Sequence, residues 1–257
     1  MSDARTTRKH EYEPSEREVG RVALVTGAAG GLGKAICDAL ERDGADLVRV
    51  DLRGNDCLHF DAATDDGTRS MVDAALKRHG RLDVLVLNAG VQFMAPLPEF
   101  PEHEWDRVMN VLVKGPYLAI RHAWPALIAR PGGRIVVTAS ALSYVAEPFK
   151  AAYVAAKHGV LGLVKVAALE GGPHGLTANA VAPGRVWTPL VANQVADYVR
   201  LRGVSEEQIL EEMLARYPAR RFVEAEEVAD TVVFLASAKA SAITGACLPV
   251  DLAYTAG

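Results

Sequence analysis

Tyr153 and Lys157 stand four residues apart in Tyr153-Val-Ala-Ala-Lys157, a spacing that places both side chains on one face of a helix. An ammonium beside a phenol favours the phenolate and draws the tyrosine pKa down from its ordinary value near 10. A tyrosine so placed can take the hydroxyl proton of an alcohol as hydride leaves the carbon, and return it in the reverse direction. Lys150, three residues upstream, can aim at the same cleft or stand as a solvated loop charge. Tyr144 lines a pocket or packs, and His158, beside the lysine, is read as packing or facing a subunit.

A helix carrying such a pair needs a scaffold. Short apolar strands are expected at 21–26, 46–51, 58–61, 82–87, 134–138, 177–181 and 247–250. Helical stretches fall between them at 34–43, 65–79, 101–129, 151–169 and 224–237, with a less regular segment at 184–219. Alternation of this kind implies right-handed βαβ crossovers and a parallel sheet covered on both faces, a single-domain α/β doubly wound (Rossmann) fold. The chain has 257 residues, half of them hydrophobic, enough for one large core. A formal net charge of −4 gives no electrostatic case for nucleic acid. Cys37, Cys57 and Cys247 show no metal-ligand spacing, so reduced thiols in a cytoplasmic protein and no bound metal are expected. Residues 1–19 are polar, without the apolar run of a secretory signal, and are read as a flexible tail or a partner-binding arm. No apolar run approaches the roughly 18 residues needed to cross a bilayer, so no membrane partner is expected.

Thr26-Gly-Ala-Ala-Gly-Gly-Leu-Gly33 sits where the first strand turns into the first helix. Gly27, Gly31 and Gly33 form a G-x-x-x-G-x-G pattern, with Gly30 adding backbone freedom. Such a turn lets a diphosphate approach the amides of a helix N-terminus, where the dipole favours an anion. Asp51 ends the second strand, 18 residues after Gly33. A carboxylate there accepts from ribose hydroxyls and repels a 2′-phosphate, which favours NAD although Arg53 lies nearby. Asp61 is a weaker candidate for holding the adenine ring.

Taken in order, the glycine loop, Asn88-Ala-Gly90, Ser140, Tyr153-Val-Ala-Ala-Lys157 and Pro183-Gly184 resemble the short-chain dehydrogenase/reductase family from about residue 20 onward. The resemblance implies that Ser140 hydrogen-bonds the substrate oxygen and that Lys157 also holds the nicotinamide ribose. Cofactor contacts then fall to Gly27, Gly30, Gly31, Leu32, Gly33, Asp51, Asp61, Asn88, Gly90, Tyr153, Lys157, Pro183, Gly184, Val186 and Thr188. One departure stands in Val108-Met-Asn-Val-Leu-Val-Lys-Gly115: the family's central-helix asparagine is Leu112 here. Asn110 lies two residues away, about 200° around a helix, and replaces it only with a change of register. Slower turnover or a rewired proton relay is the expectation.

Within the family the chain is most similar to bacterial 3-hydroxybutyrate dehydrogenases, on Asn88-Ala-Gly-Val-Gln92, Pro148 to Gly159 and Thr188 to Gln194. That similarity implies a substrate carboxylate held by Gln92, Lys150 and Gln194. It also carries three differences. The carboxylate-binding histidine is Leu142, the C-terminal tryptophan is matched by Tyr254, and the usual Asp-Gly-Gly is Asp251-Leu-Ala253, which crowds a close backbone approach. The leading expectation is an NAD-dependent dehydrogenase of a small secondary alcohol, with a 3-hydroxy acid first. An uncharged alcohol, sugar or cyclic diol is the alternative, and a nucleotide-binding regulator with little catalysis is one of another class. Residues 187–219, with Trp187, Tyr198, Met213 and Tyr217, suit a substrate lid or ordinary packing. Family likeness further implies a homotetramer, with helices 101–129 and 151–169 as interfaces.

Overall fold

The computed structural model describes residues 20–256; the segment read as an N-terminal tail, 1–19, lies outside the described residues. Seven strands form one parallel sheet: β1 (Val22–Thr26), β2 (Asp46–Asp51), β3 (Leu58–His59), β4 (Val84–Leu87), β5 (Arg134–Thr138), β6 (Thr177–Pro183) and β7 (Cys247–Val250). Their order is β3-β2-β1-β4-β5-β6-β7, and every neighbouring pair is parallel. The central strands β1 and β4 are wholly buried and, Thr26 aside, apolar, because both of their faces are covered. In β1, Val22 and Leu24 enter one core while Ala23 and Val25 enter the other, as the period of two requires. Each wholly buried leucine or isoleucine, such as Leu24, Leu85 and Ile135, contributes roughly 2 kcal/mol.

Helices α1 (Gly31–Arg42), α2 (Asp65–His79), α3 (Glu102–Met109), α4 (Gly115–Leu127) and α5 (Ala151–Gly171) precede β6; α6 (Pro189–Arg202), α7 (Glu206–Ala215) and α8 (Ala225–Ala236) follow it. α1 and α8 close one face, and α2, α4 and α5 the other. The crossovers reverse direction between β1 and β4, which opens a crevice at the carboxyl ends of the strands.

Three sequence expectations change. The helix expected over 101–129 is broken by a π turn at Asn110–Lys114. Pro116 has no N–H to return to Leu112, and the Gly115 N–H bonds Asn110 O instead. Segment 184–219, read as irregular, is largely α6 and α7. Ser205 starts α7 with a reciprocal capping box, and Met94, Val195, Tyr198, Ile209 and Met213 form a small core of their own. Finally, 151–174 is long and apolar enough to cross a bilayer by length and composition. It instead packs on the sheet: Val160, Val164, Ala167 and Ala168 enter the core.

Candidate active site

At the cofactor end, α1 begins inside the glycine loop. A Cβ on Gly33 would lie 1.9 Å from Gly27 O, so only glycine fits there. Gly30 differs: a Cβ there meets nothing within 4 Å, and the residue lines the main cavity. The open space in front of the α1 amides is where a diphosphate would lie. Asp51 is held beside the loop, Oδ2 accepting from Ala29 N (3.0 Å) and Oδ1 from Arg53 N (3.3 Å). A second, apolar slot of about 140 Å³ runs past Asp51, Phe60, Asp61 and Val91. Loop, acid and slot fit the phosphates, ribose and adenine of a nicotinamide dinucleotide.

The main cavity, about 360 Å³, brings Ser140, Tyr153 and Lys157 together with Gly27, Gly30, Gly31, Leu32, Gly33, Asp51, Asn88, Gly90, Pro183, Gly184, Val186 and Thr188. β5 delivers Ser140, and the start of α5 delivers Tyr153 and Lys157. Ser140 Oγ accepts from Leu142 N (3.1 Å) and is hydrogen-bonded to the tyrosine. Lys157 Nζ lies 5.6 Å from the Tyr153 ring centre and donates to Thr138 O (2.6 Å). Burial dominates both groups. It pushes the Tyr153 phenol up to about 12 against the Ser140 hydrogen bond, and pushes the Lys157 ammonium down to about 8. The fall in the tyrosine pKa expected from Lys157 is not found: burial sets the shift of the phenol, and the lysine hydrogen-bonds Thr138 O instead.

Asn88 proves to be a clamp. Its Nδ2 donates to Thr26 O and Gly27 O, its Oδ1 accepts from Thr138 Oγ1, and its N–H meets Thr26 Oγ1, tying the ends of β1, β4 and β5. Leu112 is buried with Val108, Ala152 and Ala156, whereas Asn110 is exposed. The π turn does not bring Asn110 to the place of the family's asparagine.

The far wall is an arc of hydrogen bonds. Gln194 donates to Gln92 Oε1 (3.0 Å), Lys150 donates to Gln194 Oε1 (2.8 Å) and to Glu147 Oε2 (2.8 Å), and Arg185 donates to Glu147 Oε1 (2.5 Å). Glu147 also accepts from Tyr198 OH (3.1 Å), Arg216 Nη1 (2.9 Å) and Tyr254 OH (2.5 Å). Burial alone would raise the Glu147 carboxyl, but Lys150 and Arg185 outweigh it and hold it down at about 2. Burial lowers Lys150 to about 8, against the pull of Glu147 and with help from Arg185.

Gln92, Leu142, Lys150, Gln194 and Tyr254 all line this cavity, while Asp61 lines only the adenine-side slot. Tyr144 lies outside both, half-exposed, its hydroxyl donating to Cys247 O (2.7 Å); His158 Nδ1 bonds Val154 O on the surface. Sequence reasoning missed Glu147, Arg185 and Arg216. Glu147 stands three residues before Lys150 and Arg185 directly after Pro183-Gly184, and that adjacency to motif residues was the available signal.

The family profile described as enoyl-(acyl carrier protein) reductase matches residues 27–255. The uncharacterised oxidoreductase YxjF of Bacillus subtilis is 40% identical, covering 92% of this chain and 98% of its own. A D-beta-hydroxybutyrate dehydrogenase of Rhizobium meliloti is 38% identical over 92% of this chain and 99% of its own. Levodione reductase superposes with a TM-score of 0.88 at 30% identity, over 93% of this chain and 99% of the other. With its parallel sheet, glycine cradle and serine–tyrosine–lysine cavity, the chain belongs to the short-chain dehydrogenase/reductase family of oxidoreductases, whose members use NAD or NADP.

Proposed function

We propose that this protein is an NAD-dependent dehydrogenase of a small hydroxy acid, with 3-hydroxybutyrate-like substrates first. The observation that carries it is one cavity joining the Asp51 and glycine cradle to Ser140, Tyr153 and Lys157 and then to the cationic wall of Lys150 and Arg185. The dinucleotide supplies the hydride acceptor. Ser140 orients the substrate oxygen, Tyr153 takes its proton, and Lys157 sits behind the phenol with its charge toward the end of β5. The Rhizobium meliloti relative, named for a hydroxy acid, supports the substrate class. The Asp51 carboxylate beside the loop supports NAD over NADP, because a 2′-phosphate would meet a like charge.

An uncharged alcohol is the second reading. It is favoured by Leu142, which puts hydrocarbon in the wall, and by Glu147, whose carboxylate already meets Lys150. NADH formation measured across hydroxy acids and neutral alcohols separates the two. Tyr153→Phe is expected to lower kcat about 1,000-fold on whichever substrate turns over. NADP is expected to support kcat/KM about 100-fold lower than NAD. Full activity in Tyr153→Phe would end the dehydrogenase reading, and equal use of NADP would end the cofactor assignment. We also propose a cytoplasmic homotetramer, with exposed Tyr117, Val166 and Leu169 on α4 and α5 at subunit interfaces.

A further inference from the structure

The chain between β6 and α8 leaves the body and returns to it at one place. Val186 pairs with Val223 in an isolated parallel bridge, and Val223 N donates to Arg185 O (2.9 Å). Just beyond the bridge, Trp187 stacks on Phe222 with 5.4 Å between ring centres. Tyr217 pins the return limb: it is 1% exposed, and its hydroxyl accepts from Arg185 N (2.7 Å). Between these anchors α6 and α7 pack on each other through Val195, Tyr198, Ile209 and Met213. Among the described residues, the body adds only Met94 and Phe149 to that cluster. A helix pair with its own small core, tied down at one hinge, can move as a unit.

The polar attachments of the pair converge on one carboxylate. Glu147, on the loop before α5, accepts from Tyr198 OH (3.1 Å) of α6 and from Nη1 of Arg216 (2.9 Å), the residue that caps α7. Gln194 of α6 meets Lys150 and Gln92, and Lys150 in turn donates to Glu147. The remaining donors to Glu147, namely Lys150, Arg185 and Tyr254, belong to the body. When α6 and α7 lift, Glu147 keeps these three. The buried carboxylate is not stranded, and opening costs hydrogen bonds that water replaces. Arg216, already 47% exposed, carries its charge into solvent.

We infer that Glu147 latches α6 and α7 as a lid over the substrate end of the cavity, with Val186 and Val223 as the hinge. Val191 and Gln194 of α6 line the cavity, so lifting the pair opens its wall. Tyr198 and Arg216 do not line it, so they act on the site only through where the lid sits, as positioning residues. What enters under the lid rests on the dehydrogenase reading above; the latch itself is measurable without turnover.

Hydrogen exchange followed by mass spectrometry on the full chain, with and without NADH, reads the latch directly. Tyr198→Phe deletes one hydroxyl, and Arg216→Leu deletes one guanidinium. Each is expected to speed exchange of the α6 and α7 amides about 10-fold while β6 and α5 keep the parent rates. Arg216→Lys should recover part of the lost protection. In a Glu147→Gln background, neither substitution should add more than about twofold, because the carboxylate they hold is already gone. Parent exchange rates in α6 and α7 of both variants overturn the latch. A rise shared equally by α5 and β6 also overturns it, since that marks general loosening. Should Glu147→Gln fold poorly, Tyr198→Phe and Arg216→Leu decide the matter alone. Absence of turnover on every alcohol would remove the dehydrogenase reading, and the exchange rates would still decide the latch.

Discussion

At the cofactor end of the cavity the fit is made with backbone: the loop 27–33, clamped by Asn88 through Gly27 O, and the end of β2, whose Asp51 accepts from Ala29 N. At the opposite end, Glu147 gathers side chains 3, 38, 51, 69 and 107 residues away. The first region is specified by backbone geometry, where a single atom too many is forbidden. The second is specified by electrostatic balance, where partners can be exchanged provided the charges still match. Damage should therefore look different in the two places: steric and local in one, pH-dependent and distributed in the other.

The sharpest break lies within the loop itself. Gly33→Ala places a Cβ 1.9 Å from Gly27 O and must push α1 away from β1. The expected loss is about 3 kcal/mol of stability, together with loss of NAD binding in a fluorescence titration. Gly30→Ala meets nothing in the protein, and its extended backbone (φ −142°) accepts alanine. Its Tm without cofactor should match the parent while NAD affinity falls, because the methyl enters the space in front of the α1 amides. If both variants bind NAD normally, the loop is not a phosphate cradle.

At the other end the probe is pH. The fold favours ionised Glu147, so that preference stabilises the protein at any pH above the carboxyl's ordinary 4.5 and drains away as pH falls from there toward about 2. The contribution at neutral pH is on the order of 3 kcal/mol. Glu147→Gln cannot ionise and leaves Lys150 and Arg185 without their shared anion. Its Tm should lie well below the parent at pH 7, and the two curves should converge between pH 4.5 and 2.5. Parallel curves across that window would mean that the carboxylate is not what holds the wall together.

The same contrast explains what could be read from sequence. β1, β4 and β5 were legible because strands buried on both faces show as apolar runs, and Gly33 and Asp51 because local geometry and register demand them. Tyr153 and Lys157 were legible because a helix fixes their spacing. The π turn was hidden in Pro116, which reads as a helix starter as readily as a ladder breaker. α6 and α7 were hidden because their apolar residues pack on each other and on Met94 rather than along one sheet-facing stripe. Glu147, Arg185 and Arg216 were hidden most deeply, since scattered charges acquire meaning only when the fold brings them together. Lys150 was found but its partner was not, and the partner changes what the lysine can do.

The smallest effect concerns the turn that carries Tyr254 to Glu147. Leu252 and Ala253 hold φ of 49° and 65°, where a Cβ is unfavourable. Asp251 enforces this conformation: its carboxylate accepts from Ala253 N (3.1 Å) and Thr255 N (3.0 Å), and its carbonyl accepts from Tyr254 N (2.9 Å). Ala253 is exposed and packs on little, so Ala253→Gly removes roughly 1–2 kcal/mol of backbone strain. The wider freedom of glycine in the unfolded chain takes back roughly 0.5–1 kcal/mol. The net is a gain of about 0.5–1 kcal/mol, or about 2 °C in Tm for a chain of this size. Leu252→Gly gives up the same strain but also half-buried contacts with both neighbouring apolar clusters, and should gain nothing. A lower Tm for Ala253→Gly would show that the turn is not under strain and that the wall does not draw on it to hold Tyr254 in place.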